Sequence, residues 1–189
     1  MRIIAGKLKG AKLYIPRDKN TRPLKDLTRE SIFNLLTHSN KISFKFEQSN
    51  ILDLYAGTGS FGLECLSRQA KSACFVEKEK NVIKILEKNV KKLKLEKKTK
   101  IFFNDVFNLI EKKNISDSKF HLIFFDPPFR NTNIEKLIEL VLNKNLLKKD
   151  GIIVLHRNKN TIEELPYYFK IIDERVYGIS KIFFGKLLS

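Results

Sequence analysis

The stretch LDLYAGTGSFG, residues 52–62, decides the fold. It runs from an apolar segment into Gly57, Gly59 and Gly62, spaced G-x-G-x-x-G. After a strand and before a helix, this spacing is typical of a turn whose backbone approaches a ligand. Asp53 stands four residues before the first glycine, where a carboxylate would repel a pyrophosphate but attract an ammonium and a sulfonium. The motif therefore favours an amino-acid-bearing cofactor over a dinucleotide.

Short apolar runs alternate with helical patterns from residue 51 onward, which predicts a parallel sheet covered on both faces. The predicted strands are 51–56, 73–77, 100–104, 121–126 and 151–156, and the predicted helices are 60–69, 79–95, 105–112 and 132–145. The last two apolar runs, 169–178 and 180–188, are separated by a turn at residues 178–180. They predict an antiparallel hairpin that ends the sheet.

Residues 1–49 differ from the rest of the chain and are predicted to form a small N-terminal appendage to a main domain at 50–189. The segments RIIAG and AKLYIP flank KLKG and predict a basic hairpin. An extended segment around Pro23 follows, and then a helix from about Thr28, capped by Asp26 or Thr28. This part carries 11 Lys and Arg against four acids. We expect it to contact a polyanion.

The whole chain of 189 residues has a formal charge of +16, which favours nucleic acid as a partner. Because 29 of its 37 basic residues are lysine, a merely solvating surface is the alternative. No window is apolar enough for a membrane span or a signal peptide, so we expect a soluble cytoplasmic protein without a membrane partner. Cys65 and Cys74 lack metal-ligand spacing, so we expect buried side chains and no metal site.

A second motif, FFDPPF at residues 124–129, closes the fourth predicted strand. Ligands of open α/β sheets bind beyond the carboxyl ends of the strands, so Asp126 is expected to share a crevice with Gly57 and Glu77. Two prolines make a rigid corner that can aim Asp126 and a backbone carbonyl at one amine. Phe129 can stack on the base that carries this amine.

Taken together, DLYAGTGSFGLE, VEK, ND and DPPF resemble the motifs of class I methyltransferases that use S-adenosylmethionine. With RIIAGKLKG, TRP…D…RESIFNLL and LSRQA added, the chain is similar throughout to the bacterial 16S ribosomal RNA guanine-N2 methyltransferase family. The resemblance implies a Rossmann-like α/β fold with a mostly parallel seven-stranded sheet. One departure is that Leu24 and Lys25 stand where family members commonly carry hydroxyl residues.

The resemblance also implies roles for individual residues. Asp53 would hold the amino end of the cofactor, Glu77 its ribose and Asp105 its adenine amine, although Asp105 could instead cap a helix. The implied cofactor-binding set is Asp53, Tyr55, Ala56, Gly57, Thr58, Gly59, Glu77, Lys78, Asp105 and Val106. The implied catalytic set is Asp126, Pro127, Pro128 and Phe129, and the implied substrate-binding set is Arg2, Lys7, Lys9, Arg22, Arg29, Glu30 and Arg130.

The implied reaction is methyl transfer from S-adenosylmethionine to a guanine N2 amine, in 16S rRNA or a small ribosomal subunit particle, by a monomer. A paired base must leave its stack to react in this way. Alternative hypotheses retain the methyltransferase activity but change the methyl acceptor to DNA adenine, tRNA or a protein glutamine amide. Two further readings are a non-catalytic rRNA-binding assembly factor and a nicotinamide oxidoreductase. His38, His121 and His156 show no catalytic spacing.

Overall fold

The computed structural model of the chain describes residues 1–16, 26–112, 115, 119–129, 133–162 and 164–188. Within these residues, the apolar runs of the sequence form the strands of one sheet. The strands are β1 (Asn50–Leu54), β2 (Ser72–Glu77), β3 (Thr99–Phe103), β4 (Phe120–Phe125), β5 (Leu147–Asn158), β6 (Phe169–Tyr177) and β7 (Ser180–Leu187).

The seven strands follow the order β3-β2-β1-β4-β5-β7-β6. Strands β1 to β5 pair in parallel, and β7 lies antiparallel between β5 and β6. The order reverses at β1, which has β2 on one side and β4 on the other. Such a reversal opens a crevice beyond the carboxyl ends of the two central strands. The predicted α/β fold with an antiparallel C-terminal hairpin is confirmed.

Five α-helices are present in the described part of the chain: α1 (Asp26–His38), α2 (Ser60–Ser67), α3 (Lys80–Lys92), α4 (Val106–Glu111) and α5 (Ile134–Asn143). Apolar side chains of α1, α2 and α3 pack in one hydrophobic cluster, and those of α4 and α5 pack in a second one. The sheet is therefore covered on both faces, as the unbroken apolar strands require. None of these helices is long and apolar enough to cross a bilayer.

The N-terminal segment forms a minimal hairpin rather than a ribbon of regular strands. A single antiparallel bridge joins Arg2 to Lys12, and Ile3 and Leu13 are buried in the same cluster as α1 to α3. The backbone N–H groups of Ile4 and Ala5 donate to the buried carboxylate of Glu64, at 2.7 and 2.9 Å. The hairpin is thus tied to α2 of the main domain.

Element boundaries differ from the prediction in a few places. Helix α1 begins at Asp26 rather than near Thr28, and β5 starts four residues earlier than predicted, at Leu147. The extended segment expected around Pro23 lies outside the described residues. Cys65 and Cys74 are buried free thiols, as predicted.

Candidate active site

A cavity of about 350 Å³ opens at the carboxyl ends of the central strands. The turn after β1, the end of β2 and the corner after β4 all contribute to its wall. The predicted site residues that line it are Asp53, Tyr55, Ala56, Gly57, Thr58, Glu77, Lys78, Asp126, Pro127, Pro128 and Phe129. Two turns more than 60 residues apart in the sequence therefore face one space.

Asp53 on β1 holds helix α2 directly after the turn that follows β1, which we call the glycine turn (residues 55–59). The Oδ2 atom of Asp53 accepts the backbone N–H of Gly62 at 2.9 Å. A Cβ on Gly62 would lie 2.4 Å from the ring of Phe75, which explains the glycine where α2 packs on β2. Gly57 has φ +57°, and a Cβ added there would meet no atom within 4 Å. The backbone at Gly57 is therefore open to a ligand.

Glu77, at the end of β2, fixes the other side of the glycine turn. One carboxylate oxygen accepts the N–H of Gly57 at 2.8 Å. The other accepts the N–H groups of Lys78 and Glu79, at 2.8 and 2.9 Å. A carboxylate offers about four lone-pair sites, so Glu77 retains acceptor capacity for a hydroxyl of a ligand.

The cavity is acidic although the chain as a whole is strongly basic. Asp53, Glu77, Glu79 and Asp126 all line it. Asp53 is only 1% exposed, and this burial raises its pKa well above the usual range, with the nearby carboxylates of Asp126 and Glu77 raising it further. A positively charged ligand would relieve this repulsion, so the cavity suits a cation better than a phosphate.

The corner after β4, which we call the proline corner (residues 126–129), is held by side chains of β5, and one of these is bonded to a side chain of β7. Oδ1 of Asp126 lies 2.7 Å from Nδ1 of His156, whose Nε2 lies 2.9 Å from Oγ of Ser180. The ring of Phe129 meets the imidazole edge to face, with centroids 5.4 Å apart. Sequence reasoning missed His156 and Ser180, both of which line the cavity.

Arg157 braces the same corner. Its guanidinium is fully buried and donates to the carbonyls of Pro128 and Phe129, at 3.2 and 3.3 Å. One signal for this support was present in the sequence: His156 and Arg157 stand at the end of an apolar run that predicts a buried strand. Ser180 carried no signal, because its place depends on the antiparallel register of β5 and β7.

Three predicted cofactor residues lie outside the cavity wall. A Cβ on Gly59 would lie 2.3 Å from Leu86 of α3, so the glycine allows α3 to pack closely here, and its approach to a ligand stays a prediction. Asp105 caps α4, where its side chain accepts from the N–H groups of Phe107 and Asn108. This is the alternative considered for Asp105, and its contact with the adenine stays a prediction. Val106 is buried in the cluster beneath α4.

The predicted substrate residues separate into three groups. Arg2, Lys7, Lys9 and Glu30 are exposed, as contact with a large substrate requires. Arg29 is fully buried, and its Nη2 donates to the Arg2 carbonyl and to the carboxylate of Asp26. Its assignment to substrate is corrected: Arg29 links α1 to the N-terminal hairpin. The last group, Arg22 and Arg130, lies outside the described residues.

Comparisons with known proteins find a family model and relatives that are similar to this chain over most of its length. A family model described as "Conserved hypothetical protein 95" matches residues 1–186. "Ribosomal RNA small subunit methyltransferase D" of Haemophilus influenzae is 34% identical over 179 residues, which cover 95% of this chain and 90% of the relative. "Putative rRNA methyltransferase YlbH" of Bacillus subtilis is 33% identical over 166 residues, covering 88% and 86% of the two chains.

Solved structures show the same fold. The putative methyltransferase yhhF from Escherichia coli superposes with a TM-score of 0.82 at 27% identity, covering 99% of this chain and 97% of that one. A putative methyltransferase complexed with SAH reaches 0.67 at 17% identity, over 85% of this chain and 50% of that one, a likeness of fold alone. The predicted enzyme class, a methyltransferase that uses S-adenosylmethionine, is confirmed. The chain belongs to the family described as conserved hypothetical protein 95.

Proposed function

We propose that the chain transfers a methyl group from S-adenosylmethionine to the exocyclic N2 amine of a guanine in small-subunit (16S) ribosomal RNA. One observation carries this proposal: the glycine turn and the proline corner face the same acidic cavity. The first suits a cationic cofactor, and the second can hold an amine. Relatives named as rRNA methyltransferases, aligned over most of the chain, support rRNA as the acceptor.

The cofactor fits the glycine-turn side of the cavity. The open backbone at Gly57 leaves room for the methionine portion, and Asp53 would hold its amino group directly or through water. Glu77 would accept from the ribose hydroxyls with the lone pairs that its own backbone bonds leave free. The bound cofactor supplies an electrophilic methyl group on its sulfonium. We assign the adenine amine to Asp105.

The proline corner would prepare the guanine amine for attack. This amine is a poor nucleophile, because its lone pair is conjugated with the ring. Two acceptors that hold its hydrogens would turn the lone pair toward the methyl group, and we assign this task to the Asp126 carboxylate and the Pro127 carbonyl. The carbonyls of Pro128 and Phe129 already accept from Arg157. Orientation of this kind contributes on the order of 7–11 kcal/mol in the best cases.

The N-terminal segment, residues 1–49, would contact the RNA around the target base. Arg2, Lys7 and Lys9 are exposed on the hairpin, where they can reach phosphates. The segment also reaches the cavity wall, because the Met1 sulfur lies 3.9 Å from Oγ1 of Thr58. The target guanine must be unpaired or flipped out of its stack to enter the cavity. We propose that the protein acts as a cytoplasmic monomer.

A methylation assay with defined acceptors tests the proposal. The purified protein and labelled S-adenosylmethionine are incubated separately with small ribosomal subunits, naked 16S rRNA, tRNA and DNA, and the products are digested for mass spectrometry. We expect N2-methylguanosine in one or both of the two 16S rRNA samples. Methyladenine in DNA, modified tRNA alone, or label on a protein glutamine would contradict the proposal. Absence of cofactor binding in calorimetry would favour the assembly-factor reading.

A further inference from the structure

Sequence analysis assigned no role to His156, but in the structure its ring connects two other polar side chains at the cavity. It is 6% exposed on β5, yet its ring bridges the carboxylate of Asp126 on the proline corner and the hydroxyl of Ser180 on β7. The three side chains come from separate elements and all line the cavity. The edge contact with Phe129 restricts rotation of the imidazole further. The ring is therefore held from three sides.

The short contact between Asp126 and His156 determines where a proton lies. An ionised carboxylate has only acceptors, and two opposed lone pairs would repel each other at 2.7 Å. With Asp126 ionised, Nδ1 of His156 carries the hydrogen and donates it to Oδ1 of Asp126. Either direction of the bond between Nε2 and Ser180 is compatible with this state, because a hydroxyl can donate or accept.

The local backbone cannot provide this support itself. An aspartate at a turn commonly bonds the backbone N–H two residues further on. Here residues 127 and 128 are both proline, and neither has an N–H group. The side chain of Asp126 is also 24% exposed to the cavity. Without an outside donor, its carboxylate would be free to rotate away from the substrate.

We propose that His156 is a positioning residue for methyl transfer. It occupies Oδ1 of Asp126 and thereby presents Oδ2 to the amine of the substrate. This inference rests on the proposed function, since it assumes that Asp126 receives the amine. His156 does not itself touch the substrate or the cofactor in this arrangement; it acts through the orientation of Asp126.

Three substitutions at one position separate this role from simple packing. Asparagine places an amide N–H near the position of Nδ1 and can still donate to Asp126. Glutamine reaches the position of Nε2, toward Ser180, but leaves Asp126 without its donor. Alanine removes both bonds. The cofactor affinity of each variant, measured by calorimetry, reports whether the cavity is intact.

With small subunits that the wild type methylates, we expect His156→Ala and His156→Gln to lower kcat by on the order of 10²-fold, as for a misplaced reacting group. His156→Asn should recover most of this loss, and KM and cofactor affinity should change little in all three. Equal activity of the Asn and Gln variants, or a fall in cofactor affinity that parallels kcat, would overturn the proposal.

A spectroscopic measurement tests the same bond without cofactor or RNA. In ¹⁵N-labelled wild-type protein, His156 should show a protonated Nδ1 whose hydrogen is protected from exchange with water. Asp126→Ala should remove this protection. An imidazole protonated at Nε2 alone would refute the inference even if rRNA methylation is observed. A protected Nδ1–H without guanine methylation would instead count against the proposed function and leave the hydrogen bond established.

Discussion

The glycine turn and the proline corner form two walls of one cavity, but they are stabilised in different ways. On the first side, backbone N–H groups donate to acids on the strands: Gly57 of the glycine turn donates to Glu77, and Gly62 of α2, directly after the turn, donates to Asp53. The proline corner has no such donors at residues 127 and 128 and is held by side chains from β5. The first wall is built from local sequence, and the second depends on tertiary structure.

This difference has a functional consequence. The carboxylates that hold the glycine turn are the groups that would bind the cofactor, so damage there should weaken binding. The side chains behind the proline corner, His156 and Arg157, are assigned no contact with the cofactor or the amine in this proposal. Damage there should leave binding intact and slow the reaction. The variants below test this contrast. It would fail if a change at the proline corner lowered cofactor affinity, or if a change on the glycine-turn side lowered kcat.

The largest effect is expected for Asp126→Ala. The variant loses the acceptor that orients the amine, so kcat should fall about 10³-fold, at the upper end for a single preorganised hydrogen-bonding group. Cofactor affinity should be nearly unchanged, because Asp53 and Glu77, the residues assigned to the cofactor, remain in place. Single-turnover methylation and calorimetry measure the two quantities. Near-normal turnover would remove Asp126 from the mechanism.

A second variant, Arg157→Met, tests whether the hydrogen bonds from Arg157 hold the proline corner in place. Methionine is apolar and of similar length, but it cannot donate to the carbonyls of Pro128 and Phe129. The corner should loosen, and kcat should fall by about tenfold to 10²-fold. Pro128 is an exposed residue, so we expect water to replace the donor to its carbonyl and the variant to fold.

Circular dichroism and cofactor calorimetry serve as controls for Arg157→Met. Arg157→Lys is the matched variant: it keeps the charge, but a single ammonium is a poor substitute for a planar fork that spans two carbonyls. It should recover only part of the lost rate. A loss of cofactor affinity equal to the loss in kcat would show that both walls depend on the same support.

The same contrast explains what the sequence could predict. The glycine turn and its acids lie within one strand-turn-helix unit and the next strand end, so a linear motif and the strand rule locate them. The parallel pairing of β1 to β5 was predicted from the alternation of apolar runs and helical patterns. His156 and Ser180 meet only because β7 inserts antiparallel beside β5, a register that single-sequence patterns do not encode.

Arg29 shows a different kind of error. It was assigned to the RNA because arginine suits phosphate, but it stands at helical spacing from Ile32, Phe33 and Leu36, all of which are buried on α1. The periodicity of the helix therefore placed Arg29 on the buried stripe. The assignment of Arg29 to RNA relied on the residue type instead of this periodicity. The complete burial of Arg29 contradicts that assignment.

The smallest of these effects is expected for Asp53→Asn, which should change cofactor affinity rather than kcat and tests the glycine-turn side of the cavity. Asparagine can still accept the N–H of Gly62, but it lacks the negative charge assigned to the amino group of the cofactor. Loss of one charge-assisted hydrogen bond should weaken cofactor binding by roughly tenfold or somewhat more. With saturating cofactor, kcat should be close to that of the wild type. A fall in kcat larger than the fall in affinity would contradict the division of roles between the two walls.

The stability of Asp53→Asn should show the opposite trend, because burial raises the pKa of Asp53 in the folded protein. The folded wild type therefore holds this proton more tightly than the unfolded chain, and its free energy of unfolding falls as pH rises from about 4 through the folded-state pKa. The neutral amide has no such dependence. Urea denaturation at pH 5 and pH 8 should show that the variant gains stability relative to the wild type at the higher pH. A relative loss at pH 8 would mean that the Asp53 charge stabilises the fold, and the glycine turn would then be built for stability as well as for binding.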